Sequence, residues 1–300
     1  MSSLKHKTIS GIKCNVCGSS CVILKFAKEI IKASADLLEC CNCGLVFLKQ
    51  EAKAIHEEDK YWDSSKQAGV YLDENIEERT KNDFLRKLEL ISKFGIHGDL
   101  LDIGCGTGQF LNIAKGEGWN VYGLDISSQA AKIAQEKYDI QVFIGKPEIF
   151  DGSGISFDCV TMWDVIEHFT EPDKVISAIR PKIKKGGLLV IRTPNENALT
   201  RTLVRVFAFF GLNSFLKYVY YTPHYFYFNA KTLKKLLVDN GFKIVGQFLE
   251  NTDESFAKKK IQAHYKTSDK FIVSFFIPVV LFVSRVFHKQ NKLVFFAKKI

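Results

Sequence analysis

The chain has 300 residues, 46% of them hydrophobic, which suffices for the core of one large domain, alone or with a small appendage, and no internal repeat or low-complexity tract interrupts it. Lys and Arg outnumber Asp and Glu by 42 to 33, and the net charge of +9 suits nucleic acid, anionic lipid, an anionic substrate or simply a basic surface. The opening MSSLKHKTIS has no apolar run behind its charges, so we expect no signal peptide, a cytoplasmic protein and reduced thiols.

Six of the eight cysteines lie between residues 14 and 43. Two pairs have Cys-x2-Cys spacing, and a glycine follows each pair. Such knuckles bring four thiolates into a tetrahedron that suits Zn²⁺, and a closed site of this kind is structural rather than catalytic. The predicted ligands are Cys14, Cys17, Cys40 and Cys43, with Cys21 and Cys41 as spare thiols nearby. We therefore predict a small zinc ribbon over residues 1–50.

Residues 51–98 are charged and are predicted to form a helical connector, in which Leu85, Leu88 and Ile91 fall at helix-like spacings. From residue 99 the apolar runs alternate with helical patterns up to about residue 195. This alternation is typical of right-handed βαβ units and predicts an α/β domain over residues 99–300 with a parallel sheet.

Two apolar segments interrupt the later part of the chain, at about 198–222 and 271–287. The second is about 25 Å long as a helix, which is short for crossing a bilayer. Two interpretations stay open. The segments form either an apolar lid over the substrate or a basic, aromatic surface that contacts the inner face of a membrane.

A glycine-rich turn, DIGCGTG, follows the first strand of the α/β region. Its glycines are Gly104, Gly106 and Gly108, and glycine lets a ligand approach the backbone beside the next helix. The next strand, VYGLD, ends at Asp125, where a carboxylate can accept hydrogen bonds from both hydroxyls of a ribose. This pattern predicts a nucleoside site, and its spacing differs from the GxGxxG of dinucleotide-binding domains.

These motifs, with SFDCVTMWDVIEHF, KKGGLLVIRTPN and HYFYFNAKTLKKLLVDNGF in the same order, resemble the class I S-adenosylmethionine-dependent methyltransferases over roughly residues 80–300. The resemblance implies a seven-stranded Rossmann-like sheet, with the methyl donor across its carboxyl edge. The cofactor-binding residues that it implies are Arg79, Asp102, Gly104, Gly106, Gly108, Asp125, Ile126, Glu148 and Trp163. Of these, Asp125 would hold the ribose, Ile126 and Glu148 the adenine, and the others the loop or the methionine end. For Arg79, a solvated helix face is the alternative.

Within that superfamily the chain looks similar to the ubiquinone-biosynthesis O-methyltransferases. Methyl transfer to an oxygen of high pKa requires a base or a metal ion that removes the proton. The resemblance places Asp164, Glu167 and His168 of WDVIEHF at the acceptor, as catalytic groups or as ligands of a divalent metal, with His224 as a second candidate base. The alternative is that these groups are structural.

The sequence therefore predicts an S-adenosylmethionine-dependent methyltransferase that acts on oxygen of a small or lipid-linked acceptor, such as a glycan or quinone precursor. One alternative is an RNA methyltransferase that reads RNA with the zinc ribbon, but residues 1–50 lack a dense run of Lys and Arg interleaved with aromatic residues, so a nucleic-acid partner is not favoured. A non-enzymatic zinc-ribbon adaptor is the other alternative, and the intact glycine loop and Asp125 disfavour it.

Overall fold

The computed structural model describes residues 8–31, 33, 35–49, 74–152, 154–220, 224–252 and 278–300. Its helices and strands, in chain order, are β1 (Val22–Phe26), α1 (Lys28–Ile31), β2 (Leu37–Cys40), β3 (Val46–Leu48), α2 (Glu74–Ser92), β4 (Asp99–Ile103), α3 (Gln109–Gly116), β5 (Asn120–Asp125), α4 (Ser128–Tyr138), β6 (Gln141–Ile144), β7 (Phe157–Trp163), α5 (Pro172–Ile179), β8 (Ile183–Pro194), α6 (Leu199–Phe209), α7 (Leu216–Val219), β9 (Phe226–Tyr227), α8 (Ala230–Asp239), β10 (Phe242–Glu250), α9 (helical over 278–286) and β11 (Lys292–Lys299).

The chain forms two compact units. The ribbon unit comprises Met1–Glu51, Thr193–Leu233 and Gln247–Val294, and the sheet unit comprises Ala52–Arg192, Lys234–Gly246 and Phe295–Ile300. The predicted boundaries at residues 50 and 98 stay a prediction, and much of the predicted connector lies outside the described residues.

A seven-stranded sheet forms the core of the sheet unit, in the order β10-β11-β8-β7-β4-β5-β6. The strand β4 pairs in parallel with β5 and β7, β5 pairs in parallel with β6, and β7 pairs in parallel with β8. The central strand β4 carries Leu100 and Leu101, which are fully buried, as expected for a parallel strand covered on both faces. Ser127 caps α4 by accepting a hydrogen bond from the Ala130 N–H at 3.0 Å. The predicted α/β fold with a seven-stranded sheet is confirmed.

The ribbon unit contains a four-stranded sheet in the order β1-β2-β3-β9, and each neighbouring pair in it is antiparallel. In the register, Val22 lies opposite Cys40 and Val46 opposite Tyr227. The strand β9 thus extends the cysteine-rich sheet from a distant part of the sequence. A core of Ile31, Leu37, Val46, Tyr220 and Tyr227, all fully or almost fully buried, holds this unit together.

Within the described part of the chain, no helix combines the length and the apolar character needed to cross a membrane.

Candidate active site

The chain order of the strands places a crevice at one edge of the sheet. From β4 the chain proceeds outward through β5 and β6, and it then returns to β7 on the other side of β4. Such a switch in direction leaves room at the carboxyl ends of parallel strands, where α/β proteins bind their ligands. The loops that follow β4, β5 and β7 meet at this edge, and they carry most of the predicted cofactor-binding and acceptor residues.

The glycine loop after β4 has left-handed backbone at each of its three glycines. A Cβ on Gly104 would lie 2.6 Å from Cγ2 of Val165, and one on Gly108 would lie 2.9 Å from Cβ of Ala134, so both positions exclude a side chain. A Cβ on Gly106, in contrast, would meet nothing within 4 Å. Gly106 therefore presents bare backbone to open space, as close approach of a ligand requires.

Asp125, at the end of β5, holds the glycine loop in place. Its Oδ2 accepts a hydrogen bond from the Gly106 N–H at 2.7 Å, and its Oδ1 accepts one from the Ser127 N–H at 2.9 Å. Each carboxylate oxygen can accept a further hydrogen bond. The half-buried Asp125 can therefore fix the loop and still receive the two hydroxyls of a ribose. Ile126, also half-buried, follows directly.

Asp102 lies in β4, directly opposite Thr161 of β7 in the parallel register. It is buried, and its Oδ1 accepts a hydrogen bond from the Thr161 hydroxyl at 2.6 Å. Burial raises the pKa of Asp102 from 3.8 to about 8, although the bond from Thr161 opposes this shift. The carboxyl group is therefore mostly protonated at neutral pH.

The raised pKa of Asp102 predicts a pH-dependent stability. An unfolded aspartate releases its proton near pH 4, but the folded carboxyl keeps it up to about pH 8. The contribution of Asp102 to stability is full below about pH 4 and declines up to about pH 8, by at most about 1.4 kcal/mol per pH unit. We expect Asp102→Asn to remove this decline, so that urea unfolding shows a free-energy difference between the two proteins that grows across this window. Parallel pH profiles would contradict the assignment.

Trp163, the last residue of β7, lies among aromatic and cationic side chains. Its ring centroid is 5.2 Å from that of Phe110 and 5.9 Å from that of Phe84. The Nζ of Lys87 and the guanidinium carbon of Arg192 each lie 5.6 Å from the Trp163 ring. The indole N–H is buried and has no hydrogen-bond partner among the described residues. Trp163 thus presents a rigid ring and a free donor near the ends of β7 and β8.

The predicted acceptor residues follow β7. Asp164 has left-handed backbone, and its Oδ2 forms an ion pair of 2.9 Å with Arg192. Glu167 and His168 lie in the 3-10 helix Ile166–His168, where Glu167 is fully buried and His168 is half-buried. A metal ion bound by Asp164 would therefore compete with a guanidinium that already neutralises it.

Three further predicted residues lie on other elements of the chain. Glu148 follows β6 and is exposed. Arg79 lies in α2, but its side chain is outside the described part of the structure. His224 is buried in the ribbon unit just before β9, with its ring centroid 6.1 Å from that of Tyr227. For these residues, and for the assigned roles of the others, the sequence-based assignments stay predictions.

The sequence did not single out Thr161, Lys87 or Arg192. Thr161 carries a local signal, because it is the one hydroxyl residue in the apolar strand FDCVTMW. Lys87 carries none. In the sequence, Asp83 and Lys87 have the i,i+4 spacing of an ordinary ion pair on a solvated helix surface. In the structure the two residues do pair, but the Lys87 side chain is fully buried.

The four predicted zinc ligands lie together in the ribbon unit. The ligand atoms of Cys14, Cys17, Cys40 and Cys43 are all within 4.8 Å of one another. The Sγ atoms of Cys14 and Cys43 are 3.6 Å apart, and those of Cys17 and Cys40 are 3.5 Å apart. In each knuckle the glycine N–H donates to the carbonyl of the first cysteine at 2.9 Å. This donor set and geometry fit a tetrahedral Zn²⁺.

Comparison with known proteins identifies a family and several relatives. A family model described as a methyltransferase domain matches residues 73–247, more than half of the chain. The ubiquinone biosynthesis O-methyltransferase of Paracidovorax citrulli is 32% identical over 106 residues, which are 33% of this chain and 44% of that protein. The enzyme of the same name from Thiobacillus denitrificans is 31% identical over 114 residues, 36% of this chain and 49% of that protein. The chain thus matches less than half the length of these relatives.

Solved structures show the same fold. Magnesium protoporphyrin IX methyltransferase from Synechocystis has a TM-score of 0.54 and 17% identity, with 81% of this chain and 98% of that chain covered. Phosphoethanolamine N-methyltransferase 2 from Haemonchus contortus has a TM-score of 0.53 and 17% identity, covering 93% of this chain and 68% of that chain. At such identities the likeness extends to the fold alone.

Proposed function

We propose that this chain, which belongs to the methyltransferase domain family and is an S-adenosylmethionine-dependent methyltransferase, acts on oxygen. Its acceptor would be a small or lipid-linked molecule. The observation that carries this proposal is the position of Glu167 and His168. They follow β7, and β7 lies next to β4, whose glycine loop would hold the donor. The names of the relatives support oxygen as the accepting atom and a quinone precursor as the acceptor class.

The donor would lie across the carboxyl ends of β4 and β5. Its ribose hydroxyls would bind to Asp125, and its amino-acid end would rest over the open backbone of Gly106. Ile126 and Glu148 would contact the adenine. Asp102 would face the positively charged methionine end, where a nearby cation favours the ionised carboxylate. Trp163 would pack near the sulfonium, and Arg79 would meet the donor carboxylate.

The reaction would be an in-line displacement in which the acceptor oxygen bonds to the methyl carbon while the bond from carbon to sulfur breaks. The donor is already activated, so alignment of the two reactants contributes much of the rate. His168 would take the proton of the acceptor hydroxyl as a general base. If a divalent ion assists, Glu167 and His168 would hold it, because Asp164 is paired with Arg192.

We further propose that Cys14, Cys17, Cys40 and Cys43 bind one structural Zn²⁺. The hydrogen bond with Cys43 lowers the pKa of Cys14 to about 5, and the same contact raises the pKa of Cys43. Four thiolates leave no open coordination position, so this ion would fold the ribbon and take no part in methyl transfer.

Transfer of a labelled methyl group to components of cell extracts identifies the acceptor class. The purified protein is incubated with methyl-labelled donor and either a lipid extract or an aqueous extract of cells. We expect the label in a methyl ether or ester of the lipid extract or of the small molecules. Label that ribonuclease releases would contradict the proposal and favour the RNA methyltransferase.

The role of His168 as the general base is tested with the variant His168→Ala. We expect kcat on the acceptor found by labelling to fall by about 10²- to 10⁴-fold, with donor affinity unchanged. The matched control is His97→Ala, because His97 is exposed and stacks on Trp119 with ring centroids 4.7 Å apart, in the loop before β4. An unchanged kcat in His168→Ala would exclude the base role. Activity that a chelator removes and Mg²⁺ restores would indicate an ion at Glu167 and His168.

A further inference from the structure

Two helices of the ribbon unit turn apolar side chains outward. In α6 the one buried residue is Arg201, whereas Val206, Phe207 and Phe209, and Phe210 directly after the helix, are exposed. Phe209 is 80% exposed and Phe210 is 72% exposed. A surface helix ordinarily shows the opposite pattern, with its apolar stripe against the core and its charges in water.

The inward side of α6 carries a buried ion cluster beside Val204 and Ala208, which pack against the core of the ribbon unit. Arg201 and Arg205 each donate a hydrogen bond of 2.7 Å to the carboxylate of Glu196, which is itself buried. The Tyr220 hydroxyl donates a third bond of 2.7 Å to the same carboxylate. Since these partners fix the rotation of α6 about its axis, its aromatic residues cannot turn inward without breaking the cluster.

The helix α9 likewise has a polar residue on its buried side and apolar residues on its exposed side. Its buried residue is Ser284, whose hydroxyl lies 3.1 Å from Oδ1 and 3.0 Å from Nδ2 of Asn251. On the opposite side, Val279, Phe282 and Val286 recur at helical spacing and are all exposed. The two helices are connected near their ends, because the N–H of Leu199 at the start of α6 donates to the carbonyl of Lys289, just beyond α9, at 2.8 Å.

The two chain segments that carry this surface contain charged residues of one sign. The sequence has no Asp or Glu in residues 198–220 or in residues 278–300, whereas it has Lys217, Arg285 and Lys289 there. A symmetric dimer through this surface would bring like charges together, which is unfavourable. A surface with anionic headgroups over an apolar interior complements both the cations and the aromatic side chains.

We propose that the outward faces of α6 and α9 are a docking surface for an anionic lipid membrane. The helices would lie in the interface, with the aromatic side chains inserted among the acyl chains and the Lys and Arg side chains at the headgroups. Docking would place the enzyme where a lipid-linked acceptor resides. Membrane docking can be tested independently of the proposed function, because vesicle binding is measured without donor or acceptor.

Co-sedimentation of the full chain with vesicles tests this surface. We expect binding to vesicles of phosphatidylcholine mixed with phosphatidylglycerol, weaker binding to phosphatidylcholine alone, and weaker binding at higher salt. The double variant Phe209→Asp with Phe210→Asp should bind the anionic vesicles at least about tenfold more weakly, because two exposed aromatic anchors are lost. Phe282→Asp on the second helix should also weaken binding.

A matched pair of valines provides the control. Val206 in α6 and Val238 in α8 are both 47% exposed, so Val206→Asp should reduce vesicle binding and Val238→Asp should not. Absence of binding to anionic vesicles at low salt, or equal binding by all these variants, would overturn the proposal. A wild-type dimer in sedimentation velocity that Phe209→Asp with Phe210→Asp dissociates would also overturn it, and would assign the surface to a second copy of the chain.

Discussion

Replacing Asp125 with alanine is expected to weaken the binding of S-adenosylmethionine by about two to three orders of magnitude. The substitution removes the acceptor of the proposed ribose hydrogen bonds. It also releases the N–H of Gly106, which Asp125 now holds at 2.7 Å, so the glycine loop loses the contact that shapes it. Charge-assisted hydrogen bonds of this kind contribute about 1.5–3 kcal/mol each, which accounts for the size of the expected effect.

Calorimetric titration of the donor measures this loss. Asp239→Ala is a suitable control, because Asp239 is an exposed residue of α8 whose ion pair with Lys235 lies on the helix surface. We expect the control to bind the donor as the wild type does. Asp125→Asn should fall between the two, since one side-chain oxygen is kept as an acceptor and the charge is lost. An Asp125→Ala protein that is folded and binds the donor with unchanged affinity would refute the ribose assignment.

Loss of one zinc ligand is expected to have the second large effect. In Cys14→Ser we expect the purified protein to retain little zinc and the two knuckles to lose their protection from amide hydrogen exchange. Thiolate zinc sites contribute on the order of 10 kcal/mol to the folding of small domains, more than any single side chain of the ribbon core. The knuckle bonds that should exchange include those from Gly18 to Cys14 and from Gly44 to Cys40.

Cys41→Ser is the matched control for the zinc site. Cys41 is adjacent to a proposed ligand in sequence, but it is exposed and lies outside the group of four thiols. Elemental analysis should find one zinc per chain in the wild type and in Cys41→Ser. A wild type purified without a metal ion, or a Cys14→Ser protein with a full complement of zinc, would contradict the structural zinc.

Local features of the sequence predicted the core of the candidate site. Gly104, Gly106 and Asp125 are identifiable because a left-handed turn after one buried strand, and an acid at the end of the next, are patterns within a few residues. The zinc knuckles are equally local. The alternation of strands and helices predicted a parallel sheet, the resemblance to the methyltransferases implied that it has seven strands, and the structure confirms both.

Features that depend on distant pairing could not be predicted. The strand β9 has two residues and so no periodicity, yet Tyr227 pairs with Val46 and completes the ribbon sheet. The segment at about 198–222, predicted to form a lid or a basic, aromatic surface, contains Arg201 and Arg205, but Arg201 is buried and both bind Glu196. The sequence shows charged residues at these positions without showing which partner compensates for their burial. The raised pKa of Asp102 depends in the same way on the strands around it.

The most direct test of the central claim is a crystal structure of the protein with S-adenosylhomocysteine. We expect the two ribose hydroxyls within hydrogen-bonding distance of the Asp125 carboxylate and the amino-acid end above the backbone of Gly106. A product molecule bound elsewhere on the sheet, or with its ribose away from Asp125, would contradict the site on which the proposed mechanism depends.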